Sequence, residues 1–219
     1  MAVEVQYRGD NADAGPSDGV WFDVDPLASP KKQIEVFEDF VGSAVMTQTA
    51  VTDAGGRGGI VALADASDAV TSALAFAYAD DKDLTFECRL TSVDAVTALS
   101  ARIGFENAAA TLRIGFEVTG ASAVLKHDDN VNDETIGTIT LPAAGTYAKL
   151  GIRVRGAGSN AEIVGYLDGV EKISKKVSAF DVDASPSTAI HSTAMAAIVI
   201  NLSASGDFNL DWIKAAQLR

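Results

Sequence analysis

Three glutamates in strand-like surroundings have the chemistry of a general acid or base: Glu87, Glu106 and Glu117. Glycosidic hydrolysis sets two carboxyl groups a few ångströms apart across a cleft, whereas these three are expected on outward strand faces and compose no tight motif. Asp128-Asp129-Asn130-Val131-Asn132-Asp133-Glu134 has the oxygen density that a hard cation such as calcium uses. Its spacing departs from an EF-hand loop, with Asp133 where glycine is required and Ile139 where a bidentate glutamate belongs, so it reads first as a solvated acidic hairpin loop. The two histidines, His127 on a loop approach and His191 before the penultimate strand, show no metal-ligand spacing with cysteine or carboxylate. No Gly-x-Ser-x-Gly elbow is present. The glycine loop Gly55-Gly56-Arg57-Gly58-Gly59 is followed by strand-like Ile60 to Leu63, not by the helix and lysine of a phosphate cradle. Arg8-Gly9-Asp10 matches an integrin tripeptide, a pattern short enough to arise by chance. These residues point to a non-enzymatic protein without metal or cofactor.

The elements that carry them are strands. In Gly145 to Lys172, Leu150, Ile152 and Val154 alternate with Lys149, Gly151, Arg153 and Arg155, giving one core face and one water face. Turn residues Gly156 to Asn160 lead back into Glu162 to Leu167, and Asp168-Gly169 predicts a type I′ hairpin, so three strands follow as a meander. Leu84, Phe86, Cys88 and Leu90 share a face, which makes Cys88 a core residue rather than a reactive thiolate. Arg102-Ile103-Gly104-Phe105-Glu106 is echoed by Arg113-Ile114-Gly115-Phe116-Glu117, a hairpin whose Ile103, Phe105, Leu112, Ile114, Phe116 and Val118 face the core. A turn centred on Ala108 and Ala109 sets Arg102 diagonal to Glu117, and Glu106 diagonal to Arg113, on a solvated outer face. Ala69 to Tyr78 fits a strand or a short helix, Ala194 to Leu202 is an apolar strand covered on both sides, and the last strand turns Phe208, Leu210 and Trp212 one way. About a dozen short strands predict an all-β antiparallel sandwich or jelly roll.

A chain of 219 residues that is 47% hydrophobic can bury one sizeable core. Residues 34–219 are expected to form it, preceded by an extended arm over 1–33 that is rich in turn signals. Fully stretched, the arm reaches roughly 100 Å. It straps a neighbouring subunit through Val3, Val5, Tyr7, Trp21 and Phe22, or else it is a frayed terminus or an arm folded back on its own domain. The formal charge of −13 disfavours nucleic acid and anionic membrane surfaces. One cysteine excludes an internal disulfide, the start has no secretory pattern, and the longest apolar run, Ala194 to Ile200, is too short to cross a bilayer. The expected setting is a soluble protein made in the cytoplasm.

Phe37-Glu38-Asp39-Phe40, Tyr147-Ala148-Lys149-Leu150-Gly151-Ile152, Gly165-Tyr166-Leu167-Asp168-Gly169-Val170 and Leu210-Asp211-Trp212-Ile213-Lys214 resemble, in order and spacing, the concanavalin A-like lectin/glucanase jelly roll as it occurs in tailed-bacteriophage structural proteins. The resemblance spans about Ile34 to Gln217 and is nearest to capsid decoration (cement) proteins. It implies a virion location on the capsid surface. The implied partners are the major capsid protein and neighbouring copies of the chain or a homo-oligomer. The chain lacks the Glu-x-Asp-x-Glu strand of the glucanase branch. A lectin-like module of a phage fibre or knob is the alternative, although Trp21, Tyr78 and Tyr166 are scattered along the sequence; a glycoside hydrolase comes third.

Overall fold

The computed structural model describes residues 33–40, 45–53, 59–77, 83–92, 100–128, 133–155, 162–176, 194–203 and 208–218. The arm residues Val3, Val5, Tyr7, Trp21 and Phe22 lie outside these, as do Arg8-Gly9-Asp10, residues 54–58, Tyr78, 129–132, 156–161 and His191.

Among the described residues there are sixteen strands and no helix. They are β1 (Gln33–Glu38), β2 (Thr47–Thr49), β3 (Thr52–Asp53), β4 (Val61–Leu63), β5 (Ala69–Thr71), β6 (Phe76–Ala77), β7 (Leu84–Ser92) and β8 (Ser100–Asn107). Then follow β9 (Arg113–Thr119), β10 (Ser122–Asp128), β11 (Asp133–Thr140), β12 (Ala148–Arg155), β13 (Glu162–Leu167), β14 (Val170–Lys176), β15 (Ala194–Asn201) and β16 (Phe208–Leu218). Sheet 1 has the order β14-β13-β12-β7-β16-β4-β3, with β1 also on β16. Sheet 2 has the order β11-β10-β9-β8-β15-β5-β2, with β6 also on β15. Every pairing is antiparallel, so this is the expected all-β sandwich. Of Ala69 to Tyr78, which fits strand or helix by pattern, the described residues up to Ala77 include two short strands, β5 and β6.

The sheets face each other across one apolar layer. Phe86 from sheet 1 meets Phe105 from sheet 2 edge-on at 5.8 Å, and Phe105 meets Phe76 at 5.2 Å. Each such side chain removed from water contributes about 1.5–3 kcal/mol. Cys88 is fully buried in this layer, where burial, and secondarily the neighbouring Glu87, push its thiol well above the usual range. Two amide side chains tie the sheets together at their rims. Asn201 of β15 donates to the Leu63 carbonyl at 3.0 Å, and Gln217 of β16 accepts from the Ala77 amide at 3.1 Å. Glu38, buried at the end of β1, accepts the backbone N–H groups of Phe40, Val45 and Met46 at 3.0, 2.6 and 2.8 Å. One carboxylate thus holds the chain where it crosses toward β2.

The meander is β12-β13-β14, and its hairpin turn has Asp168 at φ 52° and Gly169 at φ 77°, the two left-handed conformations a type I′ turn demands. Two expectations change. In β16 the register slips between Leu210 and Trp212, so Asp211 is an extra residue; Ile213 becomes the buried core residue and Trp212 turns to the outer face. In the β8–β9 hairpin Arg102 lies directly opposite Glu117 and Glu106 opposite Arg113, because the connection uses Ala108 to Leu112 with Ala110 at φ 57° and centres further along than Ala108-Ala109.

The same hairpin pairs Gly104 with Gly115. A Cβ on Gly104 would meet the Ile114 carbonyl at 2.5 Å and the Gly115 Cα at 2.6 Å, and Gly104 holds φ +145°, a conformation essentially reserved for glycine. Gly104→Ala is expected to lower stability by roughly 2–4 kcal/mol through strain and clash together. Gly145→Ala, at φ +81° with nothing within 4 Å, pays strain alone, about 1 kcal/mol. Urea midpoints of the two variants test this, and equal losses would refute the close approach.

Candidate functional site

The echoed pentapeptides build the outer face of sheet 2. On a strand, residues four apart are about 13 Å from each other on one face, too far for most pairs to touch. Arg102 and Glu106 nevertheless meet, with Nη1 3.2 Å from Oε2, and Arg113 meets Glu117 at 2.9 Å. The residue between each pair is glycine, Gly104 or Gly115, so both long side chains lie flat along the strand and meet over bare backbone. Because the two glycines are opposite each other, they form one trough across β8 and β9. The lattice extends onto β10 and β11. Arg113 also reaches Asp128 at 3.4 Å, and Lys126 joins Glu117 at 2.9 Å to Asp133 at 2.6 Å. The ion pairs therefore run along strands and onto β10, instead of across the β8–β9 hairpin.

Beside the lattice lies an open groove of about 300 Å³. Its floor is Ala196, Ile198 and Ile200, the outward side chains of β15. Leu74, which is 49% exposed, rises on one side. Ser72 stands below it, where its hydroxyl accepts the Ala197 N–H at 2.9 Å in place of a ladder carbonyl. Glu106, Asn107 and Ala108 form the other side. The Asn107 side-chain oxygen accepts the N–H groups of Thr111 and Leu112 at 2.9 and 3.0 Å, which fixes the turn that bounds the groove.

Glu106 is the unusual member of this wall. Its side chain is only 7% exposed, and Oε2 accepts no hydrogen bond although Arg102 is close. Burial raises its pKa, against the lowering influence of Arg102 and Arg113, with Asp128 adding a smaller upward push. Lys126 is held above its usual range, first by its hydrogen bond to Asp133 and then by that to Glu117.

The other expected residues fall elsewhere. Glu87 and Glu106 point outward from their strands but are buried, not solvated; Glu87 lies on sheet 1, so it and Glu106 are on opposite faces of the sandwich. Glu117 is bonded to Arg113 and Lys126. His127 is not on a loop approach: it sits on β10, turned inward and 2% exposed. Of the acidic run, Asp128 pairs with Arg113, Asp133 with Lys126 and Glu134 with Lys175. Among the described residues no group of three or more potential metal-binding side chains converges. Tyr166 stands half-buried on the outer face of sheet 1. The sequence pattern missed two more aromatic groups there. The bulge brings Trp212 to that face opposite Arg89, and Tyr147 lies with its ring 4.6 Å from the Arg89 guanidinium, which also pairs with Asp211.

No family model matches the chain, and no curated protein matches it in sequence. Solved structures do match its fold. The carbohydrate recognition domain of Emp47p superposes with a TM-score of 0.57 at 9% identity, covering 85% of this chain and 95% of that one. The endo-1,3-beta-glucanase from Streptomyces sioyaensis gives 0.55 at 13% identity, covering 87% and 98%. The receptor-binding domain of botulinum neurotoxin type G gives 0.55 at 11% identity over 84% of this chain, which spans about half of that structure's length, 47%. The chain is a jelly-roll β-sandwich of the concanavalin A-like lectin/glucanase type. At these identities the likeness concerns the fold alone.

The upward shift of Glu106 gives a pH test. A carboxyl whose folded pKa exceeds its unfolded value binds its proton more tightly when folded, so it makes stability fall as pH rises between the two values. Glu106→Gln removes this cost. The variant's urea midpoint relative to wild type is expected to rise with pH from the unfolded pKa upward and to level off above the folded one. A difference independent of pH would refute the shift.

Proposed function

We propose that this chain is a non-enzymatic capsid decoration protein, which docks on the outer surface of a phage head and reinforces contacts between capsid subunits. The observation that carries the reading is the outer face of sheet 2, where a lattice of mutually neutralised charges adjoins an aliphatic groove. Such mixed surfaces suit protein partners, because little unpaired charge must be desolvated on contact. The described chain begins at Gln33 with β1, on the rim of sheet 1 beside β16, so the segment over 1–32 precedes an edge strand. An arm attached there is well sited to strap a neighbouring copy or the major capsid protein. The partners are accordingly the capsid protein and adjacent copies, and the location is the virion surface.

A lectin-like module is the second reading, favoured by Tyr147, Tyr166 and Trp212 on the outer face of sheet 1, where the rings of Tyr147 and Trp212 beside Arg89 offer a stacking platform for a sugar. The carbohydrate recognition domain and the glucanase that share the fold are compatible with this alternative.

Co-sedimentation with shells assembled from the major capsid protein of the same virus tests the first reading, comparing the full chain with one lacking residues 1–32. Saturable binding that weakens several-fold without the arm is the expected result, and circular dichroism should show the shortened chain still folded, since the described strands of both sheets lie within residues 33–218. Absence of binding by either form, together with glycan-array signals abolished by Trp212→Ala, would replace it with the lectin-like reading.

A further inference from the structure

The groove on sheet 2 has the shape and chemistry of a receptor for one particular side chain. Its floor is a row of alternate residues of one strand, Ala196, Ile198 and Ile200, and Leu74 borders it together with Thr71 and Ser72, so the floor is aliphatic and the border carries two hydroxyls. Glu106 supplies a carboxylate whose Oε2 has no hydrogen-bond donor and whose side chain is more than nine-tenths buried. The groove's described lining contains no aromatic ring on which a sugar could stack, and Asn107 spends its side-chain oxygen on the turn. The surrounding lattice holds four carboxylates, Glu106, Glu117, Asp128 and Asp133, against three cations, Arg102, Arg113 and Lys126. Arg113 is committed to Glu117 and Asp128, and Arg102 approaches Glu106 without the alignment of a hydrogen bond. Among the described residues this lattice is thus short of one positive charge, on a chain whose formal charge is −13.

We propose that this groove takes a lysine side chain from the surface of the protein on which the domain docks, with the ammonium at Glu106 and the methylene stem along Ile198 and Ile200. The assignment rests on the decoration reading and names the chemistry of its partner. Lysine fits better than arginine because its single compact charge ends a four-carbon apolar stem, whereas a guanidinium needs a planar set of acceptors that one carboxylate beside Arg102 does not offer. A sugar would need several converging donors and acceptors; the floor supplies none, and of the two bordering hydroxyls, Thr71 and Ser72, the latter is bonded to the Ala73 carbonyl and the Ala197 N–H.

The test uses the full chain with methyl groups of isoleucine and leucine labelled for NMR, titrated with Nα-acetyl-lysine methylamide. Saturable shifts at Ile198, Ile200 and Leu74 are expected, with at least about a tenfold loss of affinity in Glu106→Gln, since a hydrogen bond to a charged group is worth roughly 1.5–3 kcal/mol. Ala108→Trp, which narrows the groove and leaves the carboxylate in place, should weaken the response as well. Equal binding of the norleucine analogue, which lacks the amine, would overturn the role of Glu106. Shifts at these methyls with methyl glucoside instead, or with neither probe, would overturn the lysine assignment. Shell co-sedimentation separates this from the underlying reading: binding retained in Glu106→Gln rejects the lysine groove alone, and binding absent from wild type rejects the decoration role itself.

Discussion

The close approach of β8 and β9 at Gly104 and Gly115 is the constraint on which the outer face of sheet 2 depends. Both backbones come together where neither tolerates a Cβ, and the absence of side chains there leaves a trough. Only over such a trough can Arg102 reach Glu106, and Arg113 reach Glu117, along an extended strand. A side chain at either glycine would push the two strands apart, because its Cβ would meet the neighbouring backbone at 2.5–2.6 Å. Glu106 would then lose the posture that presents it to the groove over β15. The repeated pentapeptide is thus one structural device used twice, an ion pair laid over glycine.

The rest of the sandwich supports this face from behind and at its rims. Ile103, Phe105, Ile114 and Phe116, the inward partners of the echoed residues, are each at most 1% exposed, so the hairpin cannot slide without moving its whole apolar set out of the core. Asn201 and Gln217 add directional bonds between sheets that apolar packing alone would leave free to shear. Glu38 does similar work at the end of β1, since a carboxylate that gathers three backbone donors defines the path of the chain more narrowly than a turn sequence does. The Phe37-Glu38-Asp39-Phe40 stretch thus has a local structural role through that carboxylate.

The elements with a period of two and a sharp turn were legible in the sequence. The Asp168-Gly169 hairpin, the meander and the inward set of β7 follow from alternation and from the positive φ that glycine supplies. Features set by register were not. The Asp211 bulge reverses the facing of Trp212, and no local pattern announces an extra residue whose purpose is a bond to Arg89 on the adjacent strand. The hairpin centre was misplaced because Ala108, Ala109 and Ala110 carry no turn preference, and Asn107 fixes the loop through its side chain. The groove was invisible for a related reason: its floor comes from β15 and its walls from chain about ninety and one hundred and twenty residues earlier. Burial of Glu87 and Glu106 was missed because outward direction was equated with solvent, whereas a lattice of long side chains covers its own sheet.

The distribution of charge bears on how such a domain meets a partner. The lattice on sheet 2 accounts for one unit of the formal −13, so most of the excess is carried by other residues of the chain. At physiological ionic strength those charges act over about 8 Å, enough to keep acidic copies apart in solution and to draw them toward a basic surface. Contact through the lattice face would bury little of that excess. Long-range attraction and short-range fit would then reside on different parts of the molecule. Salt would accordingly slow association more than it hastens release, because the pairs within the face are already made before docking and are screened least.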